Sequence, residues 1–190
     1  MARPRSEDKR AAILASATEL VAREGLAAAT AKIAKGAGVA EGTLFTYFDS
    51  KDDLLNQLYL EIKVDLRNAM MAGYPATKSL VDRNRYVWDR YIDWGGAFPS
   101  KRKAMNQLAV SDRITETCKE IGENAFREIN ALIHETLASS AMKDQPPAFV
   151  AAIMVSLAET TMGFIAREPT QARRYKRAGF DAFWRVIATK

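Results

Sequence analysis

The stretch "TAKIAKGAGVAEGTLFTYFDSKDDLL" (30–55) decides the fold. It reads as two short helices around a tight turn, followed by the start of a longer helix. Thr30 is placed to cap the first helix, and Gly38 can supply the left-handed residue at its end. Two helices packed this closely need a small residue at the contact, a glycine-like turn and apolar residues pinning them together. Ala34 is the small contact and Gly38 the turn. Ile33, Ala37, Val39, Leu44 and Tyr47 fall at the packing positions. The other side of the second helix then carries Glu41, Gly42, Thr43, Thr46 and part of Tyr47.

That surface suits a DNA major groove. Gly42 lets the backbone come close. Thr43 and Thr46 can bond base edges or touch a thymine methyl. Tyr47, Lys51 and the helix start at Thr30 can hold phosphates. Glu41 could accept from a cytosine amino group. An acid at a helix N-terminus is also favourable with no DNA at all, and that structural role is favoured here. A plain helical hairpin with a polar face fits the same spacing.

Working outward, "RPRSEDKRAAILASATELVAREG" (3–25) reads as a basic arm and a helix capped by Ser6, with Gly25 at its C-terminal end. A long helix over 50–73 starts at Ser50 and ends at Gly73-Tyr74-Pro75. Further helices are expected over 79–94, broken by Gly95-Gly96 and Pro99, then 100–109, 112–139, 147–167 and 170–188. The segment 139–148 is the clearest loop. No stretch shows strand-like alternation, so the fold class is all-α: an N-terminal three-helix helix-turn-helix domain over 1–50 and a C-terminal helical domain over 51–190.

Composition agrees. Of 190 residues, 48% are hydrophobic and 27% charged, and glycine and proline are sparse, as expected for a helical globular chain. The net charge is +5, which permits a nucleic-acid partner without establishing one. The first 51 residues hold eight basic and six acidic side chains, so the argument rests on placement. Cys118 is the single cysteine, and a reducing compartment fits. "MARPRSEDKR" has no apolar run of a signal peptide. No stretch reads as about 18 apolar residues, so no membrane span is expected and the chain reads as cytoplasmic. His134 stands alone, with no metal cluster, phosphate loop or nucleophile elbow, so neither an enzyme nor a cofactor is expected.

The quoted stretch resembles the DNA-binding signature of the TetR family of bacterial repressors: I-A-x-x-A-G-V, then G-T-L-Y/F, Y-F, and S-K with an acidic pair. The resemblance implies a homodimer of about nine helices on double-stranded operator DNA, contacted by Thr30, Lys32, Glu41, Gly42, Thr43, Thr46, Tyr47 and Lys51. Phe45 departs from it, standing where many members carry a phosphate-binding Tyr. "YIDWG", "QLAVS" and "LAETTMGFIAREP" extend the resemblance toward a branch that represses a multidrug-efflux activator. That implies release from DNA by a small hydrophobic or amphipathic effector, in a cavity lined by Tyr59, Lys63, Trp88, Ala151 and Met154. Ala151 and Met154 depart from that branch, where an acid and an aromatic are expected. Aromatic stripes are also ordinary core.

Phe164, Phe180, Phe183 and Trp184 read as the dimer surface, with burial in one subunit as the alternative. Arg173, Arg174, Lys176 and Arg177 read as a solvated face. A helical protein-interaction adaptor without specific DNA binding is the rival function.

Overall fold

The computed structural model describes residues 6–138, 140 and 142–188. Arg3 and Arg5 of the basic arm, and Ser139 and Ala141 of the 139–148 loop, lie outside them. Among the described residues the chain is all-helical: α1 (Glu7–Glu24), α2 (Thr30–Gly36), α3 (Glu41–Tyr47), α4 (Lys51–Met71), α5 (Leu80–Ala97), α6 (Pro99–Ala109), α7 (Glu116–Ala125), α8 (Arg127–Leu137), α9 (Pro147–Arg167) and α10 (Ala172–Ala188), with a short 3-10 turn at Pro169–Gln171.

The helices form two compact units. The first holds residues up to Asp65 together with Phe98–Glu123, and the second holds Leu66–Ala97 and the chain from Asn124 onward. In the first unit α1 packs on α6 and α2, and α2 on α3. Ile13, Leu14, Ala17, Val21, Ile33, Leu44 and Phe48 are fully buried there. Cys118 is buried in the same unit and its thiol donates to the Asn56 carbonyl at 3.4 Å. Burial pushes this thiol's pKa up. In the second unit α9 and α10 pack on each other and on α5 and α8. Trp88 is completely buried, stacked on Phe183 at 6.1 Å and edge-on to Phe180 at 6.4 Å.

Local chemistry sets most ends. Gly25 and Gly73 adopt φ of 79° and 76° where α1 and α4 stop, a conformation that disfavours any Cβ. Ser50 Oγ accepts from the Asp53 amide at 3.0 Å, while the Asp53 carboxylate accepts from the Asp49 amide at 3.0 Å, a near-reciprocal cap.

Four expectations are corrected. Thr30 does not cap α2: Ala29 is the cap residue, and the Thr30 hydroxyl turns elsewhere. Gly95 and Gly96 do not break α5, which runs on to Ala97 because Trp94 and Gly95 are buried and packing outweighs the glycine penalty. The helix expected over 112–139 is two helices, parted at Phe126 (φ −97°, ψ 12°), next to the boundary between the units. Finally, α9 is long and apolar enough, by length and composition, to cross a membrane, with a mean hydropathy of 1.8 in its most apolar window. Its interspersed Ser, Thr and Gly hide this in the one-letter sequence. Only 22% of that window is buried.

Candidate DNA interface

The turn between α2 and α3 is built as its residues dictate. Gly38 takes φ of 68°, its amide donates to the Lys35 carbonyl at 3.1 Å, and the Val39 amide donates to the Ala34 carbonyl at 3.0 Å. Ala34 is buried where the helices meet. A close approach not visible from periodicity lies next to it. A Cβ on Gly36 would sit 2.3 Å from Ser16 Oγ, and that hydroxyl donates to the Ile33 carbonyl at 2.8 Å. Gly36 therefore lets α1 and α2 touch.

Leu44 and Phe48 anchor α3, leaving Glu41, Gly42, Phe45 and Thr46 exposed and Thr43 and Tyr47 half-buried. Nothing lies within 4 Å of a Cβ built on Gly42, so its backbone faces open space. Phe45 is 43% exposed, so it does not pack inside the chain; its ring is presented outward.

The hydrogen bonds on this face define what it can offer. Thr46 Oγ1 donates to the Thr43 carbonyl at 2.7 Å, so its methyl and lone pairs remain for a partner. The Ser6 amide donates to Tyr47 OH at 3.0 Å, which leaves the phenol proton to donate outward. Thr30 Oγ1 donates to Glu41 Oε1 at 2.6 Å, tying the first residue of α2 to the first residue of α3. Lys32 is engaged with Glu24 at 2.9 Å, and this bond, with Arg23 second, holds the Glu24 carboxyl below its ordinary pKa.

Lys51 begins α4 half-buried and forms no hydrogen bond or ion pair among the described residues. Burial first, and the neighbouring Arg113 second, lower its pKa, with Asp52 opposing the shift. Lys35 is exposed at i, i+3 from Lys32 and has no partner among the described residues. Sequence reading passed over it, although that spacing was the available signal.

The expected effector residues divide between the units. In the first unit Tyr59 is buried, with the Lys63 ammonium 5.5 Å from its ring centre. Burial is the leading cause that raises the Tyr59 pKa and lowers that of Lys63, with Glu123 opposing the Lys63 shift. In the second unit Trp88 has no exposed surface and donates from Nε1 to the Lys176 carbonyl at 3.1 Å. Ala151 and Met154 are half-buried. Met154 joins Val87, Leu132 and Phe183 around a cavity of about 10 Å³, room for about one water.

The expected dimer residues differ in exposure. Phe180 and Phe183 are 1% and 3% exposed, because their stripe on α10 turns onto Trp88 within the same unit. Trp184 is half-buried and stacks on Phe180 at 5.9 Å. Phe164 remains 39% exposed, beneath the Arg167 guanidinium at 4.3 Å. The open apolar face belongs to α9: Phe149 is 51% exposed, Ala152 is exposed, and Ile153 and Leu157 are half-open.

Residues 13–58 match the family model "Bacterial regulatory proteins, tetR family". A putative tetR family transcription regulator from Shewanella sp. PV-4 superposes with a TM-score of 0.84 at 26% identity, over 98% of this chain and 100% of that one. A TetR family regulator from Marinobacter aquaeolei VT8 gives 0.85 at 21% identity, over 97% of each chain, and shows the shared fold. A Haemophilus influenzae protein described as an uncharacterized HTH-type transcriptional regulator is 28% identical over 110 residues, which span 57% of this chain and 59% of that protein. Residues 13–58 thus carry a domain similar to that of the tetR family of bacterial regulatory proteins, and the chain shares the fold of regulators described as members of that family.

Proposed function

We propose that the protein is a homodimeric, DNA-binding repressor that a small hydrophobic or amphipathic molecule releases from its operator. The observation that carries the reading is the exposed face of α3. It has an open Gly42 backbone, the Thr43 and Thr46 side chains, and an outward phenol proton on Tyr47, flanked by an unpaired Lys51. Short polar groups over a buried Leu44 and Phe48 suit base edges, and the cations suit phosphates. In this reading the backbone amide of Thr30, with Lys32 and Lys51, holds phosphates, Glu41, Gly42, Thr43 and Thr46 meet the groove, and Tyr47 does both. Residues 1–50 are the DNA-binding part and 51–190 the effector-binding and dimerising part.

The open apolar face of α9 supports dimerisation. A monomer rarely leaves such a strip to water, and two DNA-binding heads need a fixed spacing near one helical turn, about 34 Å. Here the dimer face is carried by Phe149, Ile153 and Phe164, with Trp184 at its edge. The desolvated Tyr59–Lys63 pair of the first unit supports an effector with apolar bulk and a polar end. Efflux genes are the first targets to test, on the strength of the motif resemblance.

The test is binding of purified protein to labelled DNA from beside its own gene, across a salt series, with and without hydrophobic dyes and bile acids. Binding should be sequence-selective, should weaken steeply with salt, and should be relieved by an effector. Thr43→Ala with Tyr47→Phe should lower specific affinity about a hundredfold while leaving the helical signal and oligomer intact. Wild-type binding equal on all sequences refutes the reading.

A further inference from the structure

We propose that Glu41 selects a cytosine in the operator and that Thr30 is the residue that aims it. This rests on the DNA-binding reading of α3. Glu41 is the first residue of α3 and is exposed. Its carboxylate does not cap its own helix. One oxygen, Oε1, accepts the Thr30 hydroxyl at 2.6 Å, and Oε2 has no hydrogen-bond partner among the described residues. The bond crosses from α2 to α3, so it fixes the direction of the carboxylate as well as the distance between the two helix starts.

The chemistry of the groove then restricts what can stand opposite. An ionised carboxylate only accepts hydrogen bonds. Guanine presents two acceptors in the major groove and thymine presents its O4 and a methyl, so both are repelled or left unbonded. Adenine and cytosine each present an amino group. Adenine places its N7 acceptor beside that amino group, against the carboxylate charge. Cytosine presents a donor edge alone. With Oε1 oriented by Thr30, the unbonded Oε2 can accept from the cytosine amino group with no acceptor beside that group to oppose the charge. The other polar groups of this face do not supply that selection. Tyr47, whose oxygen accepts from Ser6, offers the groove a donor, and Thr46 keeps only the lone pairs of a neutral hydroxyl, a weaker acceptor than the Glu41 carboxylate.

The experiment is selection from a random-sequence duplex pool by the full chain, followed by anisotropy on the enriched duplex with each base pair tried at each position. Wild type should prefer a cytosine at one position by about tenfold, the size of one good base contact. Glu41→Ala should flatten that position and no other. Glu41→Gln is close in shape, and its amide supplies a donor and an acceptor, so it should move the preference to adenine. Thr30→Val should shrink the cytosine preference while Glu41 is intact. That distinguishes aiming from a phosphate contact, which would weaken all sequences equally.

Thermal melts of each variant identify any loss of fold, and Glu41→Gln keeps the test valid if Glu41→Ala melts early. Identical preferences in wild type, Glu41→Ala and Glu41→Gln overturn the proposal. They would leave Glu41 as a strap between helices and the DNA-binding reading standing. A pool that wild type does not enrich overturns both.

Discussion

α3 and α9 each leave one face uncovered, with opposite chemistry. α3 is seven residues long and buries Leu44, with Phe48 just beyond its end. Its open side is polar, and several of its hydrogen-bonding groups are fixed by bonds from behind: Ser6 on Tyr47, Thr30 on Glu41, and the Thr43 carbonyl holding Thr46. α9 is 21 residues long, and its open side is Phe149, Ile153, Leu157 and Phe164. Directed groups can discriminate among partners, because a wrong partner leaves them unpaired. An apolar strip cannot discriminate that way, and its strength grows with area. In the proposed function the difference gives reading to one helix and holding to the other.

Removing what lies beneath the apolar region should have the largest effect. Trp88→Ala should cost about 3–5 kcal/mol of unfolding free energy by denaturant titration, because the ring is fully buried against Phe180 and Phe183. If Trp88 is instead a displaceable wall of an effector cavity, the loss will be far smaller. Charging α9 tests the holding role directly. Ile153→Glu with Phe164→Glu should weaken self-association at least a hundredfold, read by light scattering. An unchanged mass would mean that this strip holds no second copy.

Gly36→Ala sharpens the other side of the comparison. Its Cβ would meet Ser16 Oγ, so it should cost about 1–2 kcal/mol and loosen α2 against α1. DNA binding should fall with it, whereas dimer mass should not. Lys51→Ala is gentler. It should lower DNA affinity on all sequences and reduce the salt slope by about one.

The smallest effect is a pH dependence in the first unit. The folded pKa of Lys63 lies below its free value, so the unfolded chain binds more protons between the two. Stability should therefore rise with pH across that window, up to about 10.4, by no more than about 1.4 kcal/mol per pH unit for one proton. Tyr59 has a raised folded pKa, so its contribution is complete below about 10 and is lost as pH climbs through the folded value. Urea midpoints against pH should show the rise, and Lys63→Met should flatten it.

The helix-turn-helix was legible in the sequence because its determinants are local. Gly38, Ala34, Leu44 and the Ser50 cap each act within a few residues, and each appears where the spacing puts it. What was missed depends on distant neighbours. Gly36 matters only because Ser16 lies above it, and Thr30 bonds Glu41 eleven residues on. The α5 glycines stayed helical because Trp94 is buried beside them. Phe180 and Phe183 read as surplus surface until α5 supplied Trp88 to cover them. The open face of α9 was disguised by hydroxyl residues that bond back to their own helix, as Ser156 and Thr160 do.

Cys118 has a practical consequence. The chain's single thiol is 5% exposed and burial raises its pKa, so a thiol reagent at neutral pH has little thiolate to meet while the first unit is closed. Its modification rate is thus a built-in clock for opening of that unit. A second cysteine placed on an exposed surface could carry a fluorophore with little background from the native one.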